Sequence, residues 1–191
     1  MSVGQRWIEV IMTDRLRIIF FIVNVVGGIA VLGSYAHGLL TEVALRPKLW
    51  GGVPEAWQPL YTVNMFLAAG GYFFFTAHFL MRALPSGALF FNRLGFEWII
   101  FLYAAFLISS ALWMPLTFAM LKAPSDGTWL AIRSVLTVTG IASVTLLVSL
   151  LASDSERGDW LFWAAVAGLI PFIIQTAVLD AILWQRYFHV N

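Results

Sequence analysis

The sequence predicts an all-α integral membrane protein, a single bundle of five transmembrane helices spanning residues 1–191, and three observations predict it. First, 61% of the residues are hydrophobic and 11% charged, where a soluble domain carries about 25% charge and 45–50% apolar residues. A mean hydropathy of +0.86 says the same. Second, five stretches, approximately 17–40, 60–83, 96–121, 128–152 and 160–187, match the roughly 20 apolar residues that cross a hydrocarbon core. Third, every break between them carries turn chemistry.

The first 15 residues place Trp7, Ile8, Val10 and Ile11 among charges and are read as a short interfacial helix. The apolar run that follows continues to Leu40, beyond the roughly 7–15 residues of a signal-peptide core, and no small-x-small pattern closes it. It is read as a retained first span. Residues 41–59 form a long loop with Pro47, Gly51, Gly52 and Pro54, with Trp50 between Pro47 and the glycines and Trp57 between Pro54 and Pro59. Pro85 and Gly87 separate the second and third spans. Pro124, Asp126 and Gly127 separate the third and fourth, and Asp154 to Asp159 the last two. Backbone exposed to lipid must be satisfied internally, and these segments exceed barrel-strand length, so they are helices.

Five spans put the termini on opposite sides. One side, called A, holds Arg6, Arg15, Arg17, Arg82, Arg93 and Arg157; the other, B, holds Arg46, Lys48, Lys122 and Arg186. The positive-inside rule favours side A in the cytoplasm. The setting is a multi-pass protein of a bacterial inner membrane or an organellar membrane, and the lipid bilayer is its first partner.

Composition also excludes functions. The net charge of +1 offers no basic stripe, so no nucleic-acid partner is expected. The absence of cysteine removes disulfides, thiolate nucleophiles and thiolate metal sites. There is no G-x-S-x-G, no H-E-x-x-H and no phosphate-binding glycine loop. The two lysines, Lys48 and Lys122, lie in or beside loops, so a retinal Schiff base is ruled out. His37 and His78 fall near opposite faces, roughly 25 Å apart along the membrane normal, which disfavours a haem between them. No cofactor is required by the pattern, and enzyme activity lacks a motif.

Polar residues within spans are costly and each is a functional hypothesis. Arg133 and Asp180 lie at comparable depths from side B, and an ion pair between them would neutralise both. His78 and Glu97 both fall near side A, and are read either as a hydrogen-bonded pair or as an interfacial pair with no role. Asn64, Ser110, Trp113, Gln175, Asp180 and Arg133 converge on the side-B half, beneath the aromatic first loop. Each also has a purely structural reading as interhelical glue. Together they outline a ligand pocket under a lid. Trp98, Trp129, Trp160 and Trp184 fall at span ends, where interfacial tryptophans collect.

Several motifs recur in order: the pair Gly27–Gly28 in the first span, then "RPKLWGGVPEAW", "QPLYTVNMFLAAGGYFFF", "SSALWMPLTF" and "IPFIIQTAVLDAILW". In this the chain resembles the translocator proteins, or tryptophan-rich sensory proteins (TspO/MBR), as a divergent member. Tyr61 stands where that family has tryptophan, and Ser110 and Asp180 where it has asparagine. The resemblance implies a five-helix bundle binding a porphyrin, another tetrapyrrole or a sterol beneath the first loop. Its site would comprise Trp50, Trp57, Tyr61, Asn64, Ser110, Trp113, Arg133, Gln175 and Asp180. Arg133 would then meet a propionate, with Asp180 as its counter-ion when empty. Two alternatives stand beside this receptor or carrier. One is an accessory or scaffold subunit of a larger membrane complex. The other is a protein acting on a lipid-like substrate, either a membrane enzyme with His78, Glu97 or Asp180 as acid or base, or a transporter with Arg133 and Asp180 as its coupling site. The small residues Gly27, Gly28, Ala68, Ala69, Gly70 and Gly71 suit close helix packing within the bundle or across a homodimer.

Overall fold

The computed structural model describes residues 3–82, 95–153 and 157–188, with side chains from residue 14 onward. Among the described residues the chain is helical and forms no strand. Its five long helices are α1 (Val3–Thr41), α2 (Gln58–Met81), α3 (Phe96–Lys122), α4 (Asp126–Leu151) and α5 (Trp160–Tyr187). All five are long and apolar enough to cross a membrane. The expected span ends Ala83 and Ala152 lie beside these bounds, but Ala83, Pro85, Gly87, Arg93 and Asp154 fall outside the described residues.

One expectation is corrected at the N-terminus. No separate interfacial helix precedes the first span; a single helix runs from Val3. The physical reason is local: residues 5–26 contain neither glycine nor proline to break it.

The helices form an open ring in the order α1, α3, α4, α5, α2, and α1 meets α2 only sparsely. The closest crossing joins α2 to α5. There Gly71 and Gly168 pack backbone to backbone, and a Cβ on Gly71 would overlap the Gly168 carbonyl. Small residues permit this approach, which lipid-embedded helices use because no hydrophobic force drives them together. The helix α1 rides on α3 through two notches, Gly27 over Leu107 and Gly38 over Met114 and Phe118. Its outer face, with Ile18, Val26, Ile29 and Leu32, is bare. Tyr72 Oη donates to Asn24 Oδ1 at 2.6 Å, tying α1 to α2 toward side A.

The buried side chains fall into two clusters. One, toward side A, is aromatic: Phe20, Phe75, Phe79, Phe96, Tyr103, Phe106 and Phe162. The other, toward side B, gathers Tyr61, Ile132, Leu136, Leu179, Trp184 and Phe188 with Val53 of the first loop.

That loop is ordered as two short 3₁₀ helices, Val43–Trp50 and Glu55–Trp57. It is fastened to the end of α5. Gly52 N donates to Tyr187 O at 2.8 Å, and Trp184 Nε1 donates to Leu49 O at 2.9 Å. Gly51 makes the turn between the two pieces at φ 56°, a left-handed value that favours glycine, with Phe188 against it.

On the opposite side, Asp159 starts α5. Its Oδ1 accepts from Leu161 N at 3.1 Å, and its Oδ2 pairs with Arg82 Nε at 2.7 Å. Asp159→Ala removes an N-cap and a half-exposed ion pair together. A loss of about 1–2 kcal/mol is expected, read as a small drop in thermal midpoint; Asp159→Asn, which keeps the cap, should recover most of it.

Candidate functional site

Pro171 has no N–H to give to Ala167 O, so the α-helical ladder of α5 is interrupted there. Beyond it the helix widens: Ile174–Trp184 is a π-helix, with i→i+5 bonding. This winding determines the site. In an α-helix, Gln175 and Asp180 would point about 140° apart. In the π-helix they share a face, and Gln175 Nε2 donates to Asp180 Oδ1 at 2.9 Å. Asn64 of α2 completes the chain, its Nδ2 donating to Gln175 Oε1 at 3.1 Å and to Pro171 O at 3.0 Å.

These groups border a cavity of about 220 Å³ to which all five helices contribute. Val31 and Tyr35 come from α1; Met65, Ala68 and Ala69 from α2; Ser110 and Trp113 from α3. Leu136 and Thr139 come from α4; Phe172, Gln175, Thr176 and Asp180 from α5. The cavity lies between the two buried clusters, touching Phe172 of one and Leu136 and Trp113 of the other. Its α1 and α2 walls flank the sparse seam of the ring, where Met65 is 46% exposed.

The electrostatics are one-sided. Asp180 is the ionisable carboxylate of the lining, and among the described residues no lysine, arginine or histidine borders it. Gln175 uses one of the roughly four acceptor sites of that carboxylate. Trp113, also in the lining, has its Nε1 buried with no hydrogen-bond partner among the described residues. Thr176 Oγ1 lies 2.8 Å from Ser143 Oγ and is thereby engaged with α4.

Of the predicted site residues, Ser110, Trp113, Gln175 and Asp180 border this cavity, and Asn64 is one hydrogen bond from it. Tyr61 is buried beside it, its Oη donating to Leu179 O at 3.0 Å. Trp50 and Trp57 stay in the loop, edge-on to Tyr61 and Tyr187 respectively. Between loop and cavity lies an aromatic plug. Trp184 stacks on Phe188 at 4.3 Å and meets Trp113 edge-on at 5.8 Å, with Trp129 stacked on Phe188. The span-end reading of Trp184 as an interfacial belt residue is therefore corrected: it is 3% exposed and sits at the plug's centre.

Two polar pairings are also corrected. Arg133 does not pair with Asp180; it is exposed, and its Nε donates to Gln185 Oε1 at 3.3 Å. It matches Asp180 in depth but lies about 60° around α4 from the cavity-lining Leu136. His78 does not bond Glu97. His78 is buried edge-on to Phe79 and Phe162, whereas Glu97 is exposed and folds back over Gly95. There the free N–H groups of the first turn of α3 favour a carboxylate. Among the described residues no group of His, Asp or Glu is placed to hold a metal ion.

Sequence reasoning passes over Tyr35, Met65, Thr139, Phe172 and Thr176, all at the cavity. The two threonines carry a signal, as hydroxyls within apolar spans; the others are indistinguishable from packing residues.

No family model, curated protein or solved structure matches this chain. The likeness to the translocator proteins thus rests on its sequence motifs alone.

Proposed function

We propose that this chain is a membrane receptor or carrier for a small hydrophobic ligand that bears a hydrogen-bond-donating or cationic head. The observation that carries the reading is the five-helix cavity with Asp180 on its wall and, among the described residues, no basic residue beside it. Asp180 is partly buried and holds one hydrogen bond, from Gln175; leaving its remaining acceptor sites unmet there is costly. A bound ammonium or hydroxyl would meet one of them by a charge-assisted hydrogen bond. Trp113 and Tyr35 would face the same head with their rings, which favours a cation. The aliphatic and aromatic remainder of the lining suits the ligand's body.

Size narrows the ligand. The volume exceeds the ~150 Å³ that accommodates benzene and falls short of the ~300–1,000 Å³ of common ligand clefts. A compact aromatic amine fits. The sterols implied by the translocator resemblance, with a donating hydroxyl, belong to this reading with α1 displaced from α2, along the seam that few contacts hold; a porphyrin's propionates would have to point away from Asp180, which repels them.

The test is calorimetric titration of the nanodisc-embedded protein with 2-phenylethylamine, 2-phenylethanol and 3-phenylpropionate. The amine should bind at least ~10-fold more tightly than the acid, and Asp180→Asn should erase that preference (about 1.4 kcal/mol or more). Equal binding of all three, or a preference unchanged by Asp180→Asn, overturns the proposal. Protoporphyrin IX quenching of tryptophan fluorescence, with Trp113→Phe beside it, tests the larger ligand class.

A second reading is favoured by α1, whose most apolar window is 6% buried. An outer face that bare fits an accessory subunit packed against another membrane protein. Stoichiometric co-purification with a partner would favour it over the receptor.

A further inference from the structure

A second cavity, of about 260 Å³, lies on the other side of α1, in the groove it forms with α3. Its wall on α1 is Ser34, His37, Gly38 and Thr41, followed by Glu42. On α3 it is Pro115, Phe118, Ala119 and Lys122. It shares no residue with the five-helix cavity.

The groove is graded from charged to apolar along the membrane normal. Thr41 and Lys122 are the last residues of their spans, so Glu42 and Lys122 stand at the boundary of hydrocarbon and headgroups. Ser34 and Pro115 lie seven residues inside Thr41 and Lys122, about 10 Å deeper. At Gly38 the two helices close on each other, since a Cβ there would strike Phe118 and Met114, and this contact forms the back of the groove. Ala119 and Phe118 line the rest. Ser34 and Thr41 donate their hydroxyls to Val31 O and His37 O, which leaves the floor without a free donor of its own.

At the mouth, Lys122 Nζ pairs with Glu42, and both are partly accessible, at 53% and 24% of their side-chain surface. His37 is exposed one turn below. A cation, a carboxylate and an imidazole thus face one opening that leads into an apolar trough on a lipid-facing surface.

We propose that this groove binds a phospholipid with a zwitterionic, primary-ammonium headgroup. The phosphodiester meets Lys122 and His37, the ammonium donates to the Glu42 carboxylate, and the upper acyl chain lies on Pro115, Phe118 and Ala119. Charge complementarity selects the headgroup. An anionic glycerol-type headgroup satisfies Lys122 but is repelled by Glu42. A choline headgroup carries the same charges but has no N–H to donate, so it forfeits the charge-assisted bond to Glu42.

Native mass spectrometry of the full chain, with phosphatidylethanolamine, phosphatidylcholine and phosphatidylglycerol of identical acyl chains, tests this. The ethanolamine lipid should be retained at least ~5-fold more tightly than either other lipid. Glu42→Gln should bring it down to the choline lipid's level, and Lys122→Ala should weaken both. Ala119→Leu, an exposed position that fills the trough without touching a charge, should weaken all three while the melting curve stays unchanged. Retention independent of headgroup, or an ethanolamine preference that survives Glu42→Gln, overturns the proposal. Displacement of the lipid by millimolar phosphoethanolamine also overturns it, because the groove would then read a soluble headgroup without the chain.

Discussion

Gly71→Leu is expected to lower the thermal midpoint by about 10 °C, whereas Gly70→Ala, one residue away, leaves it unchanged. At Gly71 an added Cβ falls on the carbonyl, Cα and carbonyl carbon of Gly168, and all three are backbone. No rotamer change relieves a clash between two backbones, so α2 and α5 must separate along their contact. Overpacking costs about 1–3 kcal/mol and more where nothing yields. At ~2–4 °C per kcal/mol for a chain of this size, 3 kcal/mol gives the stated drop. Gly70 has no neighbour within 4 Å, so its substitution meets open space. The penalty is steric and does not depend on whether water or lipid surrounds the helices. Circular dichroism melts of the two variants in one detergent decide it; equal midpoints would mean that α2 and α5 do not cross at this closeness.

The contrast between these glycines also marks what was legible in the sequence. Five spans follow from hydropathy and turn residues, because a bilayer demands about 20 apolar residues whatever their neighbours. Depth along the membrane normal follows too, by counting 1.5 Å per residue. That is why Asn64, Ser110, Trp113, Gln175 and Asp180 fall in the half of the bundle where the cavity lies. Azimuth does not follow. Each span is apolar nearly all round, so its pattern does not say which face meets a neighbouring helix. Arg133 and Asp180 illustrate the consequence: equal depth suggests an ion pair, but Arg133 turns outward to Gln185. The π-helix is a deeper obstacle. Reading α5 with a 3.6-residue period separates Gln175 from Asp180, and only the wider winding after Pro171 brings them into one hydrogen bond. A local rule fails at the position where the cavity is built, as π segments often do at functional sites.

Trp184→Ala is expected to destabilise the chain by about 3 kcal/mol and to free the first loop. The indole touches Trp113, Trp129 and Phe188, and its Nε1–H donates to Leu49 O, so one side chain joins the plug to the loop. Truncating a buried tryptophan costs ~3–5 kcal/mol in a soluble core. The lower end applies to a membrane bundle, where the transfer from water contributes little and lost packing contributes most. Trp184→Phe separates the two roles. It keeps most of the packing and deletes the hydrogen bond, for about 1 kcal/mol. Hydrogen exchange at residues 49–53 reads the loop directly: Trp184→Phe should raise it about 5-fold and Trp184→Ala by 100-fold or more, on 1.4 kcal/mol per factor of ten. Trp113 loses its edge-on neighbour in Trp184→Ala, so the cavity gains volume on its side-B wall, and 2-phenylethylamine should bind more weakly there even though Asp180 is untouched. If exchange at 49–53 stays at the level of the parent chain in Trp184→Ala, the loop is held by Gly52 and Val53 instead, and the plug and the loop are independent structures.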